Sequence, residues 1–172
     1  MDTYLALDTI HSKYGAGMFG RIAQKLLAIT LRKSGFDRVV DRQVQGVDID
    51  LAGVGTKYSV EVKTTKDDVT PIEDKDVTGL REKEADGYLI CLAVLKLSLL
   101  SQWIVGHARN ILPGQLRVQS LALDPVEELQ GPLRKNFDGV VADHQQQILS
   151  TLAPLAYLDR VLKSLGVEVK DT

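Results

Sequence analysis

The sequence predicts an α/β domain with a central mixed β-sheet flanked by helices. Apolar and polar residues alternate on both sides of Gly53-Val54-Gly55, a pattern typical of a β-hairpin. A helical repeat of apolar residues precedes this hairpin, and a continuous apolar run at 88–95 follows it. This order of helix, hairpin and buried strand indicates a layered domain built around one sheet.

The first helix is predicted to span Gly17–Lys33, with Gly35 as its C-terminal cap. Three cations, Arg21, Lys25 and Arg32, fall on the side opposite the apolar stripe, where they are either solvated or in contact with phosphate. The stripe itself consists of Ile22, Ala23, Leu26, Leu27, Ile29 and Leu31.

The hairpin is predicted to lie between a leading strand and a helix that is followed by further strands. The predicted elements are a strand at 36–44, a break in regular structure at 67–72, a polar helix at 73–85, neighbouring strands at 88–95 and 102–106, and a last strand at 116–123. Acidic residues at the start of the polar helix suit its dipole.

Beyond residue 123 the sequence becomes helical, so we divide the chain into a core of residues 1–123 and an extension of residues 124–172. The extension is predicted to hold a short helix at 126–129 and a long one at 140–165, broken at Pro154. The leucines of the long helix form a larger apolar surface than a single helix exposes to solvent. They are expected to pack either on the core or on a second chain.

The charge of the chain is distributed unevenly. The net charge is −2, but residues 1–66 hold ten Lys and Arg against seven Asp and Glu, a balance of +3, and the remainder holds eleven against sixteen, or −5. Three of the seven acids, Asp48, Asp50 and Glu61, lie in the hairpin, where a cation would neutralise them. A locally basic first third is what a phosphate-binding face requires.

Several classes of protein do not fit the sequence. No apolar run approaches the roughly 20 residues of a membrane span and no signal peptide is evident, so we expect a cytoplasmic protein. The three histidines lack the spacing of a zinc site, and Cys91 lies in an apolar run that predicts a buried thiol. Residues 15–20 fit Gly-x-Gly-x-x-Gly, but no strand precedes them, so no nucleotide cofactor is expected.

The polar face of the hairpin carries Asp48 and Asp50 on the first arm and Glu61 and Lys63 on the second. Neighbouring strands lie about 5 Å apart, so carboxylates from both arms come within reach of one hard cation. Lys63 is placed to order a water or to steady a pentavalent phosphate. The alternative is an amphipathic hairpin whose polar face is only solvated.

The order Gly-x-Asp at 46–48, a glycine turn, and Glu-x-Lys at 61–63 resembles the PD-(D/E)xK nuclease superfamily, especially archaeal Holliday-junction resolvases. Asp48, Glu61 and Lys63 fall on the signature positions of that family. The family pattern also has a helix ending in Gly-Phe before the hairpin, but Gln24 stands where the pattern has a glutamate. The resemblance covers residues 17–107.

The resemblance implies a restriction-endonuclease-like core that cleaves DNA phosphodiesters with Mg²⁺, for which Mn²⁺ can substitute. Lys63 and Gln24 would complete the catalytic set. The implied metal ligands are Asp48, Glu61, the main-chain carbonyl of Val62 and, in reserve, Asp50.

A resolvase acts on a two-fold branched substrate, so the resemblance also implies a homodimer that presents two sites to branched DNA. The expected DNA contacts are Arg21, Lys25, Arg32 and Lys66. Two alternatives stay open. One is a DNA-binding or scaffold protein that has kept the nuclease fold and lost the chemistry, which Gln24 and the acidic second half favour. The other is a restriction or repair nuclease that acts on linear duplex.

Overall fold

The computed structural model describes residues 2–43, 47–98 and 101–170. Six strands form one mixed sheet in the order β6-β5-β3-β2-β1-β8, and β4 pairs with β7 in a second, two-stranded sheet. The elements are α1 (Thr3–Lys33), β1 (Arg38–Arg42), β2 (Ile49–Ala52), β3 (Lys57–Thr65), β4 (Val69–Ile72), α2 (Asp74–Ala85), β5 (Leu89–Lys96), β6 (Gln102–His107), β7 (Gly114–Arg117), α3 (Val118–Leu121), α4 (Glu127–Ser150), α5 (Pro154–Ser164) and β8 (Glu168–Lys170).

The predicted hairpin is confirmed as the antiparallel pair β2 and β3, with Asp50 opposite Ser59. The backbone N–H of Gly53 donates to the carbonyl of Thr56 at 3.0 Å, and Gly55 has φ of 75°, which favours glycine at this turn. The strand predicted after the helix pairs with β3 in parallel as β5, and β6 lies antiparallel beside it. The end of the first predicted strand at Val44 and the motif glycine Gly46 lie outside the described residues.

The two faces of the six-stranded sheet are covered differently. On one face, α1, α4 and α5 bury apolar side chains of β2 and β3 such as Ile49 and Val60. On the other face, α2 and α3 pack on β3, β5 and β6 over a second cluster that includes Leu80 and Leu92. Because side chains alternate along a strand, the polar residues of the hairpin lie on the face that α2 covers only in part.

α1 begins at Thr3, fourteen residues before the predicted start. Gly15 interrupts it with φ 76° and ψ 167°, and the segment before this kink buries Leu7 and Ile10 in the core. The glycines at 15 and 17 concealed that segment in the sequence, because glycine disfavours helix interiors. The predicted end is confirmed, since Ser34 is the C-cap and Gly35 follows with φ 98°.

Two short segments were predicted wrongly. Residues 67–72, predicted as irregular, contain β4, and residues 116–123, predicted as one strand, contain the end of β7 followed by α3. β4 and β7 pair across more than forty residues, with Thr70 opposite Leu116. Strand pairing at this separation leaves no local signal, and Pro71 lies in a two-stranded sheet where a missing N–H is tolerated.

The C-terminal segment packs on the rest of the chain. The short helix and the first part of the long one form a single helix, α4, which contains Pro132. The predicted break at Pro154 is confirmed, because α5 begins at that residue. β8 was not predicted, and it pairs in parallel with β1 at the sheet edge. Ten apolar residues of this segment belong to the core that α1 and the sheet share: Val126, Leu129, Leu133, Phe137, Val140, Val141, Ile148, Leu158, Leu162 and Val167.

Side chains from the N-terminal half of α1 form hydrogen bonds with the C-terminal end of α4. The hydroxyl of Tyr14 lies 2.6 Å from the carbonyl of Ile148 and 2.9 Å from that of Thr151, and Lys13 donates to the carbonyl of Leu149. These side chains satisfy carbonyls that a helix end otherwise leaves unpaired. In the described ranges, no helix has the length and apolar character that crossing a membrane requires.

Candidate active site

The three residues on the signature positions come together at the open end of the hairpin. Asp48 precedes β2, and its Oδ2 accepts a hydrogen bond from the backbone N–H of Val62 at 2.7 Å. Glu61 and Lys63, both on β3, line the same cleft as Asp48, and the cleft has a volume of about 1110 Å³. A cleft of this size is open to a large ligand such as a nucleic-acid strand.

Asp48 and Glu61 are carboxylates in an unfavourable environment. Burial raises the pKa of Asp48, although the hydrogen bond from Val62 opposes the shift. Burial, reinforced by the neighbouring charge of Asp48, raises the pKa of Glu61 strongly. Oε2 of Glu61 is buried and has no hydrogen-bond partner among the described residues. A half-buried and a buried carboxyl group that repel each other are stabilised by a cation between them.

Lys63 lies between two carboxylates. Its Nζ is 2.9 Å from Oε1 of Glu61 and 2.7 Å from Oδ2 of Asp76. Burial alone would lower the pKa of the Lys63 ammonium, but the charges of Glu61 and Asp76 outweigh burial and raise it. Lys63 is therefore charged at neutral pH and acts as a hydrogen-bond donor.

Asp76 is the site residue that sequence reasoning missed. It lies on α2, its side chain is only 5% exposed, and its Oδ2 also accepts the backbone N–H of Glu73 at 2.9 Å. Burial would raise the pKa of Asp76, but the hydrogen bonds from Lys63 and from the Glu73 N–H, with the Lys63 charge, together outweigh it and lower the pKa. The local pattern Glu73-x-x-Asp76 indicates a capping box, whereas the contact with Lys63 depends on how α2 packs on β3.

Gln24 contacts the main chain beside the site. Its Nε2 donates to Oδ1 of Asp41 at 2.7 Å, to the carbonyl of Arg42 at 2.8 Å and to the carbonyl of Asp48 at 3.3 Å. The amide nitrogen therefore holds the backbone of Asp48, not its carboxylate. The expectation that Gln24 completes the catalytic set stays a prediction, since Gln24 lines the cleft.

Asp50 shares the face of Asp48, as predicted, but its carboxylate is fully engaged. Arg42 Nη2, Lys83 Nζ and Ser59 Oγ each lie 2.6 Å from it. Burial would raise the pKa of Asp50, but the hydrogen bonds from Lys83, Ser59 and Arg42 outweigh burial and lower it. Asp50 forms ion pairs with Arg42 and Lys83, so we withdraw its prediction as a reserve metal ligand.

Two of the four expected DNA contacts are structural residues. Lys25 is 2% exposed and forms ion pairs with Asp41 at 2.7 Å and Asp159 at 2.5 Å. Arg32 donates to the carbonyl of Leu165 at 2.8 Å and to that of Phe36 at 2.9 Å. The prediction for Lys25 was wrong because the sheet and α5 enclose α1 on more than one side. Arg32 is half-buried, and its contact with DNA stays a prediction.

The other two expected DNA contacts are accessible. Arg21 lines the cleft and donates to Oε1 of Gln43 at 3.2 Å. Lys66 is 49% exposed and pairs with Asp8 at 2.9 Å. Their contact with DNA stays a prediction.

The oxygen donors of the cleft fit a hard divalent cation. Asp48, Glu61 and the main-chain carbonyl of Val62 are the ligand types that Mg²⁺ and Mn²⁺ prefer. Within the described ranges, no three His, Cys, Asp or Glu side chains are grouped so as to hold a metal. The donors available to a metal are therefore the carboxylates of Asp48 and Glu61 and the main-chain carbonyl of Val62. The Oε2 atom of Glu61, which has no partner among the described residues, fits a bound cation.

The sheet order, the flanking helices and the cleft at the hairpin define a protein with a restriction-endonuclease-like fold, as predicted. The fold is similar to the solved structure of Hjc, a Holliday junction resolvase from the archaeal hyperthermophile Archaeoglobus fulgidus, with a TM-score of 0.50 and 19% identity. The match covers 61% of this chain and 89% of that chain. No family model and no curated protein matches the chain. The similarity therefore confirms the predicted fold.

Proposed function

We propose that the protein is a Mg²⁺-dependent endonuclease that hydrolyses DNA phosphodiester bonds. The observation that carries this proposal is the pair formed by half-buried Asp48 and buried Glu61 beside a charged Lys63 in one open cleft. The fold similarity to a Holliday junction resolvase supports it. Buried, repelling carboxylates destabilise a fold, so their presence in a cleft favours a functional role.

Asp48, Glu61 and the carbonyl of Val62 would hold the ion, which supplies Lewis acidity at the scissile phosphate and lowers the pKa of a water. Lys63 donates hydrogen bonds to the attacking water or to a phosphoryl oxygen as negative charge develops there. Asp76 keeps the ammonium in place when Glu61 is engaged elsewhere. Gln24 fixes the backbone that carries Asp48.

Branched DNA is the substrate that we propose in addition, because the solved protein of similar fold is a Holliday junction resolvase. A homodimer would present two clefts to such a substrate. The competing function is DNA binding without cleavage. It is favoured by Gln24, whose amide stands where the family pattern has a carboxylate.

Cleavage of labelled four-way junction, nicked and linear DNAs with Mg²⁺, Mn²⁺ or EDTA tests the proposal. Asp48→Asn, Glu61→Gln and Lys63→Ala should each lower cleavage about 100-fold or more while the variants stay folded. Asp67→Asn, which changes an exposed carboxylate outside the cleft, should cleave like the wild type. Unchanged cleavage by Glu61→Gln would refute the site. DNA binding without cleavage by the wild type would establish the competing function.

A further inference from the structure

A second group of charged residues lies on the same sheet face as the catalytic residues. Strand register places Arg38 opposite Ala52, and Lys170 opposite Arg42, on the face that carries Asp50. A small recess of about 50 Å³ lies among these side chains. We call this surface the basic face, and its cations are Arg38, Arg42, Lys57, Lys83 and Lys170.

The basic face is exposed and has an excess of positive charge. The side chain of Arg38 is 71% exposed, that of Lys170 is 36% exposed, and Lys57 is exposed as well. Among the described residues, the acids that form ion pairs with these five cations are Asp50 and Glu168, which leaves an excess of +3 on a chain whose net charge is −2. A concentration of positive charge on an acidic chain indicates a surface that binds a polyanion.

Internal contacts hold part of this array in place. Asp50 binds Arg42 and Lys83, both at 2.6 Å, and the ring of Tyr88 lies under the ammonium groups of Lys57 and Lys83, each 4.8 Å from its centroid. Cations that are fixed in advance lose less conformational entropy when they bind an anion. Asp50 and Tyr88 therefore organise the face without neutralising it.

The basic face is continuous with the cleft. Lys57 lies four residues from Glu61 on β3 and on the same side of the sheet, which is about 13 Å at about 3.3 Å per residue. Lys83 lies at the far end of α2 from Asp76, so the two ends of this helix contact the basic face and the catalytic lysine.

Ser59, which lies between Lys57 and Glu61, is fully buried, so the accessible route runs past the start of β2 instead. Asp48 of the cleft and Arg42 of the basic face line one adjoining recess, through which an extended anion can pass from one surface to the other.

We propose that the basic face binds the phosphate backbone of the DNA that leads away from the cleft. This inference rests on the proposed function and adds a binding surface to it. The backbone of double-stranded DNA carries closely spaced negative charges along its length, which matches a row of cations that begins beside the catalytic residues.

The test compares two triple variants of the full chain. One removes the basic face by Arg38→Ala, Lys57→Ala and Lys170→Ala. The matched control removes the same charge from exposed positions of α4 and α5, on the other side of the sheet, by Lys135→Ala, Arg160→Ala and Lys163→Ala. Fluorescence anisotropy of a labelled duplex and of a four-way junction in EDTA measures binding without cleavage, between 50 and 300 mM salt.

We expect the basic-face variant to bind at least about tenfold more weakly at 100 mM salt, and the control to bind within about twofold of the wild type. The slope of log K against log salt should fall by about 0.9 for each phosphate that the variant no longer neutralises, and only in the basic-face variant. Equal binding by the two variants would overturn the inference.

Cleavage separates this inference from the proposed function. With Mg²⁺, the basic-face variant should show a raised KM and an unchanged kcat, whereas Glu61→Gln should lose kcat and still bind DNA. If the wild type cleaves DNA and the basic-face variant has the same KM as the wild type, this inference alone is refuted. If the wild type neither binds nor cleaves DNA, both are refuted.

Discussion

Asp76 controls the position of Lys63 from a different element. Asp76→Asn keeps the shape of the side chain and an acceptor for the Glu73 N–H, but it removes the charge that pairs with Lys63. We expect kcat to fall about tenfold, or about 1.4 kcal/mol, with little change in KM, because Lys63 would shift toward Glu61. Steady-state cleavage measures both constants. Asp74→Asn, in the first turn of the same helix, is the control, and a wild-type kcat for Asp76→Asn would contradict the role.

Gln24 is a residue for which the structure and the family pattern lead to opposite expectations. The pattern favours a glutamate, but Gln24→Glu would place a carboxylate against Asp41 and two main-chain carbonyls, and no donor would remain. We expect lower thermal stability and lower cleavage, because a half-buried charge would face three hydrogen-bond acceptors. Melting temperature and cleavage rate measure the effects, with the exposed Gln146→Glu as the control. Higher activity of Gln24→Glu would restore the family interpretation.

Among the secondary-structure elements, the hairpin was predictable and the surroundings of α1 were not. Alternation and a glycine turn are local signals, so they placed Asp48, Glu61 and Lys63 on one polar face. A single amphipathic stripe suggests one buried side, but α1 contacts the sheet, α4 and α5, and Lys25 is buried as a result. A periodic apolar stripe, such as that of α5, shows that a helix buries one face but not which distant element covers it.

The packing of α5 gives a direct comparison of two leucines. Leu158 is fully buried in the core, whereas Leu152, just before α5, is fully exposed. Leu158→Ala should lower the free energy of unfolding by about 2–5 kcal/mol, and Leu152→Ala by less than about 0.5 kcal/mol. Denaturant unfolding at two protein concentrations measures both. If the free energy of unfolding lost on Leu158→Ala depends on protein concentration, α5 lies instead in an interface with a second chain.

At the scale of the whole molecule, the carboxyl groups of the cleft make stability depend on pH. Since the folded protein raises the pKa of Glu61 and of Asp48, it binds their protons more tightly than the unfolded chain does. Stability of the metal-free protein should therefore fall as pH rises from about 4 toward the raised values. Melting temperatures in EDTA between pH 5 and pH 8 should show this decline.

The variant Glu61→Gln isolates this contribution. It should melt above the wild type at pH 8 in EDTA and show a flatter dependence on pH, because an amide carries no charge to bury. Asp67→Asn should follow the wild type at every pH. A wild-type melting temperature that rises between pH 5 and pH 8 relative to Glu61→Gln would contradict the raised pKa of Glu61.

The pairing of β8 with β1 has a consequence for the order in which the protein folds. Glu168 lies opposite Val40, 128 residues earlier in the chain, so this pair closes one of the longest loops in the molecule. Closure of a long loop carries a large entropic cost, and contacts of this kind form slowly. The hairpin can form early from neighbouring residues, whereas β8 is expected to dock late. Until it docks, the open edge of β1 can pair with a strand of another chain, so newly made protein is most prone to aggregate in that interval.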